Sequence, residues 1–173
     1  MIRMVLETVL HTLVFPGAVL VAVPYLLQSS GLELYAFSSR YLRVLGGLSL
    51  LAGIVLGLWC TRNFIVLGHG TPNPLDPPAL LVRAGPYQVV RNPMYVAVGL
   101  ILAGEALTFG SAILVAYLLV MVVVFHLVVV LYEEPTLRRS FGAAYEEYCR
   151  RVPRWIPRVA WLALAADGTE HRR

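Results

Sequence analysis

Apolar positions fall into four stretches, at Leu6–Leu27, Leu42–Cys60, Pro93–Phe109 and Ser111–Tyr132. The first carries Pro16 and Pro24, with Glu7 and His11 near its start, and the second has an apolar continuation to Leu67. A helix that crosses a bilayer takes ~20 apolar residues. The first, second and fourth stretches meet that length and the third is short. Gly110 and Ser111 separate the last two, which predicts a tight helical hairpin. The pattern therefore predicts an all-α integral membrane protein with four transmembrane helices, two of them forming a hairpin in the C-terminal half.

Beyond Tyr132 the pattern changes. Leu137, Phe141, Tyr145, Tyr148 and Val152 recur at helical steps, with Glu146, Glu147, Arg150 and Arg151 around them, which predicts an amphipathic tail helix. Pro153 and Pro157 then break the chain, and the apolar run 159–166 is flanked by Trp155 and Trp161, a placement that suits the headgroup level. Arg3 ahead of an apolar run has the outline of a signal peptide. Glu7 and the prolines interrupt that run and no small-residue cleavage site follows, so a retained helix is expected.

Composition excludes most other classes. Of 173 residues, 58% are hydrophobic and only 14% charged, against about 25% charged in soluble domains. That excess excludes a disordered or collagen-like chain. Cys60 and Cys149, the only cysteines, make no disulfide framework. The formal net charge is +4, and every basic residue is arginine. With four spans, twelve arginines lie on one side and only Arg40 and Arg43 on the other. The positive-inside rule then places both termini, the 61–92 loop and the tail in the cytoplasm, with the tail folded over the membrane face. The plasma membrane of a prokaryote is the expected location, and no nucleic-acid role is expected. Gly46, Gly47, Gly53 and Gly57 on the second helix would permit close packing with a neighbour; the sequence leaves the oligomeric state open.

Candidate chemistry gathers at the arginine-rich end. A stiff loop runs through Gly68-His69-Gly70-Thr71-Pro72, Pro77-Pro78 and Gly85-Pro86-Tyr87 to Arg91-Asn92-Pro93-Met94-Tyr95. Asn92 and Pro93 form a helix start, as N-cap and first helical residue. Folding about Gly110 sets Tyr95 beside residue ~125 and Arg91 beside ~129, because both helices rise about 1.5 Å per residue. His126, Val130 and Glu133 share one helical face, so Arg91, Asn92 and Tyr95 should converge with His126 and Glu133. Pro135 is expected to end or kink the fourth helix just after Glu134. Adjacent helical residues point about 100° apart, which favours Glu133 over Glu134 for a shared ligand unless the helix has ended. Plainer roles exist as well. Glu134 and Arg138 make an i,i+4 pair, His126 can be a satisfied interior histidine, and Glu105 can serve packing although a carboxylate at that depth is expensive. No metal-ligand spacing is present, and Gly68-His69-Gly70 lacks the context of a dinucleotide loop.

The same residues carry a family likeness. Gly85-Pro86-Tyr87, Arg91-Asn92-Pro93-Met94-Tyr95, Glu133-Glu134, and the tail motif Phe141-Gly142-x-x-Tyr145-x-x-Tyr148-x-x-Arg151-Val152-Pro153 together resemble the isoprenylcysteine carboxyl methyltransferase family, which belongs to a wider group with phospholipid N-methyltransferases. The resemblance covers roughly residues 68–157. It implies one membrane methyltransferase domain over 1–173, with two N-terminal spans (1–67), a donor-binding and catalytic region (68–157) and an interfacial tail (158–173). It further implies S-adenosyl-L-methionine as methyl donor. Carried over, it implicates Arg91, Asn92, Pro93, Tyr95, Glu133, Glu134, Tyr148 and Arg151, and Gly85, Tyr87 and His126 join these, Arg151 excepted, as donor-binding candidates. Asn92 stands where the family commonly has histidine; an amide donates and accepts hydrogen bonds but does not titrate.

On this resemblance the expected reaction is methyl transfer to a lipophilic small-molecule or lipidated acceptor at the cytoplasmic interface, a carboxylate such as that of a prenylated cysteine. A carboxylate is already ionised and needs no general base, and Arg151 or Arg62 is the candidate to hold it in a bidentate fork. An amine acceptor would need a base, for which His126 is the nearby candidate. Two alternatives are a membrane NADPH-dependent reductase of the sterol or steroid type and a non-enzymatic helical subunit.

Overall fold

The computed structural model describes residues 16–30, 39–67 and 81–157. All regular structure among them is helical. Helix α1 is Ala18–Ser29, π-helical over Ala18–Ala22. Helix α2 is Arg40–Leu67. A 3-10 turn at Gly85–Gln88 precedes α3, Pro93–Phe109. Helix α4, Ala112–Val128, runs through a π-helical turn, Val129–Glu133, into α5, Glu134–Phe141; α6 is Ala143–Arg151. The loop stretch 68–80, the N-terminal part of the first apolar stretch and the apolar run after Pro157 lie outside the described residues.

Two helical stretches, Arg40–Asn63 and Ala112–Phe141, are long and apolar enough to cross a membrane, while α1 and α3 are shorter apolar helices. At 1.5 Å per residue α3 spans about 25 Å, somewhat under the ~30 Å hydrocarbon core. Leu48, Leu51 and Leu58 of α2 and Leu119, Val120 and Val123 of α4 are all more than half exposed. Apolar surface on that scale is a liability in water and is satisfied by lipid. The chain is a membrane protein.

Close packing joins α2 to α3. A Cβ on Gly53 would come within 2.7 Å of Ile101 Cγ1 and 2.8 Å of the Ala97 carbonyl, and one on Gly104 within 2.7 Å of the Leu50 amide nitrogen. Gly46 faces Gly104 and Thr108 in the same way, and Ser49 Oγ donates to the Leu100 carbonyl at 2.8 Å. Small residues let two backbones approach where lipid offers no hydrophobic driving force between helices. Gly46 and Gly53 therefore serve this internal seam rather than a neighbouring molecule, whereas Gly47 meets nothing within 4 Å.

The α3–α4 hairpin forms as the pattern predicts. Gly110 closes α3 at φ 65°, a left-handed conformation glycine adopts without strain, and Ser111 caps α4 by accepting from the Leu114 amide at 3.4 Å. Pro135 does not end the fourth helix. The π-turn over Val129–Glu133 lies immediately ahead of it, and α5 continues to Phe141. A helical proline lacks an N–H and crowds the carbonyl four residues back, and the wider turn accommodates both defects. The same pairing recurs in α1, where the π-turn Ala18–Ala22 precedes Pro24. The real break comes at Gly142, φ 50° and ψ −127°. The tail is thus two short helices instead of one, although Tyr145, Tyr148 and Val152 still pack with Leu137 and Phe141 in one cluster.

Candidate functional site

The hairpin delivers its two polar ends to the same place. Tyr95, in the first turn of α3, stacks on Phe125 of α4 with ring centroids 4.8 Å apart, where reflection about Gly110 predicts residue ~125. About two turns further on, the Tyr95 hydroxyl donates to Glu133 Oε1. Trp155 from the tail closes the third side, edge-on to Tyr95 at 6.3 Å, and its indole N–H donates to His126 Nδ1 at 3.2 Å. Tyr95, Phe125, His126, Glu133 and Trp155 form one aromatic and acidic group.

Beside it lies an ionic group centred on Glu134. Its side chain is 3% exposed and accepts from Arg91 at 3.1 Å, from Arg154 at 2.6 and 3.0 Å, and from Arg138 at 3.3 Å. Arg91 also donates to Cys149 Sγ at 2.8 Å, while its Nε is buried with no partner. The i,i+4 pair with Arg138 is thus real but is the most exposed and longest of these contacts. Glu133 ends the π-turn and Glu134 begins α5, and the two adjacent glutamates engage different neighbours, Glu133 the Tyr95 hydroxyl and Glu134 the arginines.

The tail is bound back over the segment that leads into α3. The Arg91 amide donates to the Pro153 carbonyl at 2.8 Å, and Asn92 Nδ2 donates to the Arg154 carbonyl at 3.2 Å. Asn92 occupies the N-cap position, yet its side chain makes no capping bond and is spent on the tail. The Tyr148 hydroxyl donates to the Tyr87 carbonyl at 2.7 Å, and Arg83 donates to the Ala144 carbonyl at 2.8 Å with its guanidinium 5.9 Å from the Tyr148 ring centroid. Gly85 must be glycine, because its φ is 60° and a Cβ there would collide with the Asn63 side-chain amide. Burial raises the Tyr87 and Tyr148 phenols above the ordinary tyrosine range, so both stay neutral donors.

Of the residues singled out in the sequence, Arg91, Asn92, Tyr95, His126, Glu133 and Glu134 come together, with Pro93 buried at the start of α3 and Gly85, Tyr87 and Tyr148 in the adjoining layer. Two do not join them. Arg151 is 71% exposed and holds Glu147 at 2.6 Å, and Arg62 is exposed near the end of α2. Arg154 and Trp155 occupy the ground expected for Arg151. Their position directly after Pro153 was visible, but α6 ends at Arg151 and the extended Val152 redirects the chain, which helical periodicity cannot anticipate. Among the described residues no three His, Cys, Asp or Glu side chains group to hold a metal ion.

This set can do specific chemistry. Guanidinium groups bind a carboxylate, buried carboxylates bind an ammonium, and aromatic faces take a flat heterocycle or a sulfonium. The unpartnered Arg91 Nε leaves one buried donor for a ligand. A family model described as phospholipid methyltransferase matches residues 41–144, from the start of α2 to the start of α6. The chain belongs to that family, whose activity is methyl transfer to a lipophilic substrate. No curated protein and no solved structure matches it.

Proposed function

We propose that this member of the phospholipid methyltransferase family transfers a methyl group from S-adenosyl-L-methionine to a lipophilic acceptor at the arginine-rich end of a four-helix membrane bundle, with that end in the cytoplasm. The observation that carries the reading is the convergence of Arg91, Arg154, Glu133, Glu134 and Tyr95 from the hairpin and the tail. When bound, the donor supplies an electrophilic methyl on a sulfonium. Arg91 and Arg154 would hold its carboxylate and Glu133 its ammonium, with Tyr95, Trp155 and Tyr148 supplying aromatic faces. The tail strap through Pro153 and Arg154 would exclude water from the bound donor.

A carboxylate acceptor fits the site best. With such an acceptor the donor would supply its methyl to an already ionised oxygen, the carbon–sulfur bond breaking to leave a neutral thioether, and the residues here would have no proton to remove. Catalysis is then positioning and dehydration. The Trp155–His126 hydrogen bond supports this choice. An indole N–H only donates, so His126 Nδ1 accepts and its Nε2 carries the hydrogen. In that tautomer His126 offers no base at Nε2 for an amine acceptor.

Calorimetry with the purified protein in detergent tests the donor: S-adenosylhomocysteine binds and NADPH does not, and the reverse result sinks the assignment in favour of a reductase. Labelled-methyl transfer over lipid extracts tests the acceptor. An alkali-labile product that releases methanol is an ester; an alkali-stable product is a methylated amine and overturns the carboxylate reading.

A further inference from the structure

The strap that carries Arg154 is held by a residue whose own position calls for a different bond. Asn92 directly precedes Pro93 at the start of α3, and its carbonyl accepts from the Val96 amide at 3.3 Å. An asparagine at such a start ordinarily turns its side-chain oxygen to the amide of the second or third helical residue. Here that capping bond is not made, and Nδ2 donates to the Arg154 carbonyl at 3.2 Å instead. One residue earlier, the Arg91 amide donates to the Pro153 carbonyl at 2.8 Å. Consecutive donors ahead of α3 therefore hold consecutive carbonyls of the tail, 62 residues away in sequence.

That arrangement matters for Arg154. Helix α6 ends at Arg151, and from Val152 to Pro157 the chain has no regular structure, so no helix of its own fixes the Arg154 backbone. The residue is tied at its two ends. Asn92 holds the carbonyl, and Glu134 holds the guanidinium at 2.6 and 3.0 Å. A guanidinium fork recognises a carboxylate in two bonds only when its plane is aimed, and an arginine on a free backbone loses that aim. We infer that Asn92 is a positioning residue for donor binding, acting through the Arg154 carbonyl and not by contact with the donor. The inference rests on the assignment of Arg154 to the donor carboxylate. It gives the amide of Asn92 a task that helix capping would forbid, since one side chain cannot lie along the first turn of α3 and reach the tail together.

Asn92→Ser separates this role from a structural one, because serine caps a helix as well as asparagine does but is one bond shorter than the reach to the Arg154 carbonyl. In the full chain in detergent the melting temperature holds, while titration calorimetry shows S-adenosylhomocysteine bound about fivefold to tenfold more weakly, the scale of one neutral hydrogen bond. In an Arg154→Ala background the same substitution costs less than about twofold, because the residue it acts through is already gone. Without ligand, hydrogen exchange at the Arg91 amide quickens in Asn92→Ser as the strap loosens. Loss by the same factor in both backgrounds makes Asn92 a direct donor contact and overturns the proposal, as does an unchanged affinity. A wild-type chain that does not bind S-adenosylhomocysteine refutes the donor assignment instead; Arg91 exchange then decides whether Asn92 holds the strap, and exchange as slow as in the wild type overturns it.

Discussion

Replacing Glu134 with glutamine keeps the side-chain shape and deletes the one negative charge that Arg91, Arg154 and Arg138 share. The three contacts do not weigh equally. Arg138 is 44% exposed and rehydrates, so its share is a surface pair worth under about 1 kcal/mol. Arg154 is 32% exposed and recovers part of its hydration. Arg91 is 11% exposed against a 3% exposed Glu134, and it is left as a buried cation with no anion. Breaking a buried pair from one side costs about 3–5 kcal/mol. The partial exposure of Arg154 and Arg138 sets the expectation near the lower limit, at about 3 kcal/mol. For a chain of this length each kcal/mol moves Tm by about 2–4 °C, so Glu134→Gln should lower Tm by roughly 6–12 °C. Thermal unfolding in detergent, followed by fluorescence of the three tryptophans, reads this directly. Arg138→Ala is the internal comparison and should cost no more than about 4 °C. If the two variants lose the same small amount, Glu134 is only the surface partner of Arg138 and the ionic core does not exist.

Arg154→Ala should weaken S-adenosylhomocysteine binding by about a hundredfold, the scale of a lost bidentate charge-assisted contact, whereas Arg151→Ala should stay within about twofold; titration calorimetry separates them, and the opposite ranking would return the role to Arg151. Gly53→Leu should disrupt the α2–α3 seam and cost about 1–3 kcal/mol or more through overpacking, while Gly47→Leu, with open space around it, should leave the melting curve unchanged. Burial raises the Tyr148 phenol in the folded state, so the folded chain holds that proton more tightly than the unfolded chain. Its contribution is therefore complete below the ordinary tyrosine value of about 10 and is lost as pH rises beyond it. Tyr148→Phe should flatten the fall in Tm above that pH, and an unchanged slope would refute the assignment.

How much of this was legible beforehand differs by element. The third apolar stretch and α3 coincide at Pro93–Phe109, because proline at one end and glycine at the other are local signals. The Tyr95–Phe125 contact was legible too, since a hairpin turn of known position fixes register by arithmetic alone. The tail was only half legible: its apolar stripe was right, but Gly142 divides it, and glycine in a polar segment does not announce a positive φ.

By itself the amino-acid sequence determined a helical membrane protein, the hairpin about Gly110 and the segments that converge at the candidate site, since each follows from hydrophobic period and chain stiffness. Tertiary structure decided the rest. It gave Glu133 to Tyr95 and Glu134 to the arginines, brought Arg154 rather than Arg151 to Glu134, and turned Gly46 and Gly53 to an internal seam. Those outcomes depend on where a backbone changes phase or direction and on which partner it then meets, and such long-range geometry is not encoded in the spacing of neighbours along the chain.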